Sequence, residues 1–454
     1  MDANRFNRRT ALKVLGGAAA AGLVSQPLFR ALADPPLAED DFFIFIHASG
    51  GWDVTVGLDP RNESRGLIDP ATTDFVDSAG LTQWTDEPIG TDTTFRIVTP
   101  RNTRHRFGPG VGDLVDIAER VTVINGLAMN TVSHQDGTFF AATGRHLAGG
   151  RPVASSVNTM IANEFGRDQI FPSVSVQFPS TYVGTGLDPR ASPLIIANVD
   201  TVSKVLARAN DNTVAADRDS VTAMLSQESR ELMGRSYHED VMEGFSLQFG
   251  ALRRMLTGNL QAVFQSAALQ AAQPSFNYRA RFQSRGAINA AFAVEAMKRN
   301  VVRCVSFAMG GFDTHSTNYR NQPMIQQEFF NVLTALVRAL DAAPHPTRMG
   351  ERLSDRTHIL AVSDFCRTPQ INLTSGRDHY PNGSAVVISP RFRGGNTYGA
   401  SDVDQLLPAP VVRFPNGTRA IAPPDLLATF VYAFGVNPRR YLRDGEVLQE
   451  MLRT

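Results

Sequence analysis

Residues 41–53 read DFFIFIHASGGWD, and this stretch decides the fold class. The run 41–47 is apolar without polar alternation, which predicts a short strand buried on both faces. Strands of this kind belong to parallel sheets that carry helices on both sides. The run leads into the turn Gly50-Gly51, with an acid, Asp53, just beyond it. The stretch therefore predicts an α/β domain in which a polar loop follows the carboxyl end of the first strand.

The same apolar pattern recurs along the chain, with helical spacing between the repeats. Further strands are predicted at 121–125, 301–307, 358–362 and 384–388. Helices are predicted at 112–120, from within 130–136 to 142, and at 287–298, 324–340 and 425–434. Because strands and helices alternate, the central sheet should be mostly parallel and flanked by helices. Residues 203–300 are predicted to be a mainly helical insertion. Residues 55–105 are polar and are predicted to have little regular structure.

The first 33 residues are predicted to be a removable export signal. Arg8-Arg9 precedes a short apolar stretch, 14–24, and Ala31-Leu32-Ala33 forms a small-residue cleavage site. Paired arginines before a modestly apolar stretch indicate the twin-arginine route. The translocase of that route would be a partner during export, and the mature domain, 40–454, would be periplasmic or extracellular. The alternative is a basic, alanine-rich helix of the mature protein.

Composition excludes several classes of protein. The chain has 454 residues, 43% of them hydrophobic, with 44 basic and 44 acidic side chains. That balance gives no basic stripe for nucleic acid, and outside the export signal no run approaches the roughly 18 apolar residues of a transmembrane helix. With only two cysteines, the protein must rely on its core rather than on disulfides. Cys304 and Cys366 are predicted to remain unpaired.

Acidic residues follow three of the predicted strands directly. Asp53, Asp313 and Asp364 each lie just past an apolar run, and ligands of open α/β sheets bind outside the carboxyl ends of the strands. Three carboxylates gathered there repel one another unless a cation neutralises them. With His315 and His379 nearby, the ligand set suits zinc, manganese or iron better than calcium. Taken singly, each acid could be a turn or N-cap residue, and each histidine a hydrogen-bonded structural group.

Ser133-His134 is the candidate nucleophile region. It follows a strand and opens a helix, whose free N–H groups and dipole favour an anion such as phosphate or sulfate. A serine there could attack if a metal lowered its pKa, or it could serve only as the N-cap. Arg367 and Arg377 flank the acids and could pair with an ester oxyanion or with the carboxylates.

The sequence resembles the exported twin-arginine proteins of domain-of-unknown-function family 1501, which are assigned to the alkaline phosphatase and sulfatase superfamily. The resemblance covers about residues 40–440. It rests on the motifs His47-x5-Asp53, Ser133-His134, Gly-Gly-Phe-Asp313-Thr-His315, Ser-Asp364-Phe-Cys-Arg367-Thr-Pro and Gly-Arg-Asp378-His379.

This resemblance implies an alkaline-phosphatase-like α/β sandwich with a mostly parallel central sheet. It also implies one or two divalent metals and a serine, threonine or modified cysteine nucleophile. Carried over by residue, it implies attack by Ser133. The implied metal ligands are Asp53, Asp313, His315, Asp364 and His379.

Two departures from the superfamily pattern bear on the number of metals. The phosphatases have a histidine directly after the acid matched by Asp364, where this chain has Phe365. The spacing from Asp313 to His315 is also shorter than in the phosphatases. Both departures argue against a full two-metal phosphatase site.

The sequence thus supports two functional hypotheses. The first is an exported metal-dependent hydrolase of small phosphate or sulfate esters, using zinc or manganese, in which Ser133 attacks beside His134 and Arg367 steadies the oxyanion. The second is a secreted binding protein that keeps the fold, and one metal, without catalysis. Phe365 favours the binding protein, whereas the intact Ser133-His134 pair favours the enzyme.

Overall fold

A largely parallel sheet runs through the middle of the protein. The computed structural model describes residues 39–69, 97–204, 260–415 and 417–453, with isolated positions at 220, 223, 224, 227 and 254. The predicted export signal and much of the predicted helical insertion lie outside the described residues. Within these described residues the strands are β1 Phe42–Ala48, β2 Val121–Asn125, β3 Phe171–Val176, β4 Leu194–Ile196, β5 Val302–Met309, β6 Thr357–Ser363, β7 Cys366–Arg367, β8 His379–Tyr380, β9 Ser384–Ile388, β10 Asn396–Tyr398, β11 Val412–Phe414 and β12 Gly417–Arg419.

Eight of these strands form the central sheet, in the order β10-β2-β9-β6-β1-β5-β3-β4. Strand β9 pairs antiparallel with both β2 and β6, and the other pairs are parallel. Strand β1 therefore lies in the middle, between β5 and β6. The remaining strands form two small antiparallel pairs, β7 with β8 and β11 with β12.

Helices cover both faces of the sheet. Their bounds are α1 His134–Thr143, α2 Val157–Phe165, α3 Ser266–Ala272, α4 Ser284–Lys298, α5 Asn318–Ala342 and α6 Pro423–Ala433. Helices α4 and α5 pack on one face, together with the 3-10 segment Pro109–Arg120, and α1, α2 and α6 pack on the other. None of the described helices is long and apolar enough to span a bilayer.

The first strand shows why an unalternating apolar run predicts this arrangement. Phe42, Ile44 and Ile46 belong to one hydrophobic core, and Phe43 and Phe45 belong to the core on the opposite face. Each side chain is at most 1% exposed. Burial on both faces is therefore confirmed for β1, as is the predicted α/β class with a mostly parallel sheet flanked by helices.

Several elements match their predicted bounds closely, and others escaped prediction. Strands β2 and β9 have the predicted limits, and α5 begins six residues earlier than the predicted 324. Helix α2 and strands β3 and β4 were not predicted from the sequence. Helix α4, the last helix of the predicted insertion, packs in the core against α5 and β5.

The two cysteines are free and buried, as predicted. Cys304 on β5 pairs with Phe43, whereas Cys366 bridges to Trp52, nine residues further along the chain from Phe43. The two thiols therefore lie at different levels of the sheet. Burial raises the pKa of both thiols well above the usual value, so neither is an activated nucleophile.

Candidate metal centre

Three loops meet at the carboxyl edge of the sheet, because β5, β1 and β6 are neighbours in register. His47, near the end of β1, pairs with Ala308 on one side and with Val362 on the other. The segments that follow the three strands carry Gly50-Gly51, Asp313 and Asp364 and therefore open at the same edge.

Gly50 allows two of these loops to touch. Its φ is +117°, and a Cβ at this position would lie 2.5 Å from the backbone nitrogen of Asp313. Its own N–H donates to Asp364 Oδ2 at 3.0 Å. Only glycine combines this conformation with so close an approach, so the glycine turn is what joins the three loops.

A buried side chain of α5 connects the loops that follow β1 and β5 through hydrogen bonds. Gln322 donates from Nε2 to the carbonyl oxygens of Gly51 and Phe312, at 3.1 and 2.7 Å. Its Oε1 accepts from the backbone N–H of Asp53 at 3.0 Å. The side chain is fully buried, and these bonds fix the β1 and β5 loops relative to each other.

Helix α1 brings a histidine to the same edge from the opposite face of the sheet. Gly137 lets the first turn lie against β6, because a Cβ there would be 2.3 Å from the carbonyl oxygen of Asp364. His134, one turn earlier, then donates from Nδ1 to Asp364 Oδ2 at 2.6 Å.

Three histidine nitrogens converge on one carboxylate oxygen. Asp313 Oδ1 lies 3.1 Å from His315 Nε2, 3.3 Å from His134 Nε2 and 3.4 Å from His379 Nε2. Ligand atoms of His134, Asp313 and His379 all lie within 4.8 Å of one another. His315 adjoins this group, with its Nε2 2.9 Å from His379 Nε2. Asp313 is half exposed, so the cluster is open to solvent on one side.

The other ring nitrogen of each histidine is held by an acceptor. His134 Nδ1 contacts Asp364 Oδ2 at 2.6 Å, His315 Nδ1 contacts Asp378 Oδ1 at 2.7 Å, and His379 Nδ1 contacts the Val132 carbonyl oxygen at 2.8 Å. Acceptors of this kind place the ring proton on Nδ1 and leave a lone pair on Nε2. Metal-binding histidines in proteins are oriented in the same way.

This arrangement fits a transition-metal ion. The Nε2 lone pairs that face the Asp313 carboxylate repel it unless a cation lies among them. In addition, His134 Nε2 is buried without a hydrogen-bond partner. Four donors around an ion with bonds near 2.0–2.1 Å would lie about 3.3 Å apart in a tetrahedron. The observed contacts to Asp313 Oδ1 are close to that spacing. Imidazole nitrogen with one carboxylate suits zinc, manganese or iron rather than calcium.

The pKa shifts follow the same contacts. Burial works to raise the pKa of Asp313, but the hydrogen bond and charge of Arg367 outweigh it and lower that pKa. Burial lowers the pKa of His379 and so favours its neutral, ligating form. The hydrogen bond to Asp364 raises the pKa of His134 against the effect of burial. Without a cation, His134 therefore tends to hold a proton where a metal would lie.

Comparison with known proteins identifies the family. Residues 43–449 match the family model described as "Protein of unknown function (DUF1501)". This chain belongs to the DUF1501 family. No curated protein matches the sequence.

The solved structures that this DUF1501 protein matches share little sequence with it. One is Ps i-CgsB in complex with k-i-k-neocarrahexaose, at 12% identity and TM-score 0.36, covering 90% of this chain and 75% of that one. A sulfatase from Pseudoalteromonas sp. has 10% identity and TM-score 0.30, with coverage of 89% and 70%. The phosphonate monoester hydrolase of Agrobacterium radiobacter has 12% identity and TM-score 0.33, with coverage of 90% and 77%.

Asp53 and Asp364, two of the predicted ligands, contact protein groups and lie outside the ligand group of this DUF1501 protein. Asp53 is fully buried, and its Oδ1 accepts from the N–H and hydroxyl of Thr55, at 2.9 and 2.6 Å. Its Oδ2 accepts from Asn318 at 2.6 Å and lies 3.3 Å from Arg377 Nε. Asp364 bonds His134 and Gly50 through Oδ2, which makes it the group that orients His134.

Arg367 lies beneath the cluster and holds Asp313. It is fully buried, and its guanidinium donates to Asp313 Oδ1 at 2.7 Å and to the carbonyl oxygens of Gly50, Gly51 and Arg377. The predicted contact with a substrate oxyanion would require some of these bonds to break. The geometry instead matches the alternative, in which the arginine pairs with a carboxylate.

Ser133 is exposed and caps α1. Its Oγ accepts from the backbone N–H of Asp136 at 3.4 Å, which is the N-cap alternative weighed from the sequence. Ser133 is exposed and directly precedes His134 in the chain. The structure thus shows the capping role and leaves the predicted attack by Ser133 as a proposal.

Phe365 fills a position beside the cluster with an apolar ring. Its centroid lies 4.8 Å from the ring of His134 and 4.6 Å from that of His379, and the side chain is fully buried. It also packs against the Gly51 backbone, because a Cβ there would be 2.8 Å from the ring. Phe365 therefore supports the two histidines and provides no ligand.

The sequence interpretation missed three residues of the site. His47 contacts Asp364 Oδ1 at 2.8 Å, Asp378 orients His315, and Gln322 joins two loops. The motifs contained His47 and Asp378 but indicated no role for either. Gln322 lies in a polar stretch of α5, and only the packing of that helix beneath the loops reveals its contacts.

Proposed function

We propose that this DUF1501 protein is an exported hydrolase of phosphate or sulfate esters that requires one divalent transition-metal ion. The convergence of three imidazole Nε2 atoms on Asp313 Oδ1 carries the proposal. A cation bound there would supply Lewis-acid stabilisation of an ester oxygen. The export signal and the periplasmic or extracellular location are part of the proposal and rest on residues 1–33.

Each residue of the cluster has a stated role in this proposal. His134, Asp313 and His379 hold the cation, and His315 completes the donor set. Arg367 keeps Asp313 oriented. Ser133 Oγ attacks the phosphorus or sulfur atom, the bond to the ester oxygen breaks, and the alcohol leaves with the serine proton. Water then hydrolyses the serine ester and releases phosphate or sulfate. The free N–H groups at the start of α1 favour the anionic substrate.

Elemental analysis and ester hydrolysis together test the proposal. The mature chain, residues 34–454, is purified and analysed for metals, then assayed with p-nitrophenyl phosphate and p-nitrophenyl sulfate before and after chelation. We expect one zinc, manganese or iron per chain, and turnover that chelation abolishes and added metal restores. A chain without metal, or turnover unaffected by chelation, would contradict the proposal.

One observation favours a second candidate function, a secreted binding protein with one metal. Phe365 stands where the superfamily's phosphatases have a histidine, and its ring packs against both His134 and His379. A protein with this role would bind metal and then phosphate or sulfate without turnover. Calorimetric titration of the metal-loaded chain with inorganic phosphate and sulfate, set beside the ester assay, separates the two candidates.

A further inference from the structure

A buried histidine on β1 lies behind the metal cluster and has no role in the function proposed above. The His47 side chain is 2% exposed, and its Nε2 lies 2.8 Å from Asp364 Oδ1. Its ring packs against Phe178, with centroids 5.4 Å apart, and lies 6.5 Å from Phe45 in a stacked orientation. An imidazole packed among aromatic rings and against one carboxylate oxygen has a restricted set of orientations.

Asp364 divides its two oxygens between the histidines on either side. Oδ2 accepts from His134 Nδ1 and from the Gly50 N–H, whereas Oδ1 lies 2.8 Å from His47 Nε2 in a close contact that is not a well-aligned hydrogen bond. The carboxylate is 1% exposed, and Oδ1 is screened from solvent. Removing His47 would therefore take away the polar side chain that faces this buried oxygen, and the carboxylate would turn towards another donor.

The orientation of Asp364 in turn fixes where His134 points. The bond from His134 Nδ1 to Asp364 Oδ2 is the contact that aims His134 Nε2 at Asp313 Oδ1. A rotation of the carboxylate would move the acceptor and swing the imidazole away from the cluster. Outer partners of this kind typically change metal affinity by 10- to 100-fold.

We propose that His47 is a positioning residue for the metal centre, acting through Asp364 on the Nε2 atom of His134. This inference rests on the proposed metal site. It places His47 behind Asp364, which in turn contacts the proposed ligand His134. His47 touches neither the cation nor the substrate, so its contribution lies in how tightly and in what geometry the ion is held.

The chain contains a matched control at the other end of the same sheet. His358 on β6 is also fully buried and lies 2.9 Å from a buried carboxylate, Asp41. Because His358 is close to the amino end of its strand, substitutions there disturb an equivalent histidine–aspartate pair without touching the cluster. A loss of stability alone would appear in both sets of variants.

The experiment compares His47→Leu, His47→Gln and His358→Leu in the mature chain. The dissociation constants of Zn²⁺ and Co²⁺ are measured by competition with a chelator, and the visible spectrum of bound Co²⁺ reports the ligand geometry. We expect His47→Leu to bind both ions about tenfold more weakly with an altered spectrum. We expect His47→Gln, whose Nε2 can reach Asp364, to stay within about threefold of wild type, as should His358→Leu.

The outcomes separate this inference from the function on which it rests. If wild type binds no ion, the metal site itself is wrong and the inference falls with it. If wild type binds the ion and His47→Leu binds it equally well with an unchanged spectrum, only the role of His47 is refuted. If His47→Leu does not fold, His47→Asn, whose amide is too short to reach Asp364, carries the same test.

Discussion

The Nε2 atoms of His315 and His379 lie 2.9 Å apart. Each ring uses its Nδ1 for an acceptor, Asp378 in one case and the Val132 carbonyl oxygen in the other. Two imidazoles arranged in this way face each other with lone pairs, so a proton or a metal ion must lie between or beside them. Asp313 Oδ1, 3.1 and 3.4 Å from the two nitrogens, makes the site attractive to a cation.

Asp313→Asn should lower metal affinity and reduce the stabilisation that metal gives to the fold. The amide removes the charge on which three histidines converge, and bound metal stabilises the native state by mass action. Calorimetric melting with and without added zinc measures the difference. Asp341→Asn, which breaks an exposed ion pair with Arg120, is the control and should keep the full metal-dependent shift. Asp313→Asn with undiminished metal binding would remove Asp313 from the ligand set.

Ser133→Ala should abolish ester hydrolysis while leaving the metal content unchanged. The hydroxyl is the proposed attacking group, whereas the ligands come from other residues. Loss of the N-cap would also cost about 1 kcal/mol of stability. Ser133→Asn keeps a capping oxygen and should restore the stability without restoring turnover. Turnover retained in either variant would exclude Ser133 from the reaction.

The metal-free and metal-bound proteins should respond to pH in opposite directions. The pKa of His134 is raised by Asp364, so its contribution to stability is complete below the unfolded pKa near 6.5 and is lost as pH rises through the folded pKa. Metal binding instead releases protons and strengthens as pH rises. Melting temperatures from pH 5.5 to 8.5, with chelator or with zinc, should therefore diverge. His134→Gln should flatten both slopes, and parallel curves in wild type would contradict this assignment.

Gly137→Ala should separate α1 from β6 and weaken the metal site. The added methyl would meet the Asp364 carbonyl at 2.3 Å, a backbone atom that cannot simply move aside. We expect destabilisation of about 1–3 kcal/mol, together with reduced metal affinity, because His134 moves with the helix. Gly310→Ala is the control, since its Cβ would meet no atom within 4 Å. Chemical denaturation and metal titration measure the two effects, and equal stability of both variants would refute the close approach.

The sequence predicted the central strands of the sheet well, because a strand buried on both faces consists of an uninterrupted run of apolar residues. Strand β1 is recognisable from its apolar run alone, and β9 has the predicted bounds. Strand β3 reads FPSVSV, with two serines that face a polar network around Asn158, so the same rule does not detect it. The edge strand β4 has only three residues and offers too little pattern.

The sequence predicted where the candidate site lies in the fold better than it predicted the role of each side chain. Parallel neighbouring strands place Asp313 and Asp364 at the same edge of the sheet regardless of their side-chain contacts, and the sequence was enough to predict this location. Which acid faces solvent depends on partners distant in sequence. Asp364 is covered by His47 and His134, whereas Asp313 stays half exposed beside Arg367. Spacing along the chain carries no information about such contacts.

Asp53→Asn should leave the metal content unchanged while destabilising the fold. The Asp53 carboxylate oxygens already accept from Thr55 and from Asn318, and the Arg377 side chain beside them is fully buried. Removing one partner of a buried ion pair typically costs about 3–5 kcal/mol. Elemental analysis should still give one metal ion per chain, and denaturation should show the loss. If metal content falls while stability holds, Asp53 is a ligand, as the superfamily resemblance implies, and its contacts with Arg377 are secondary.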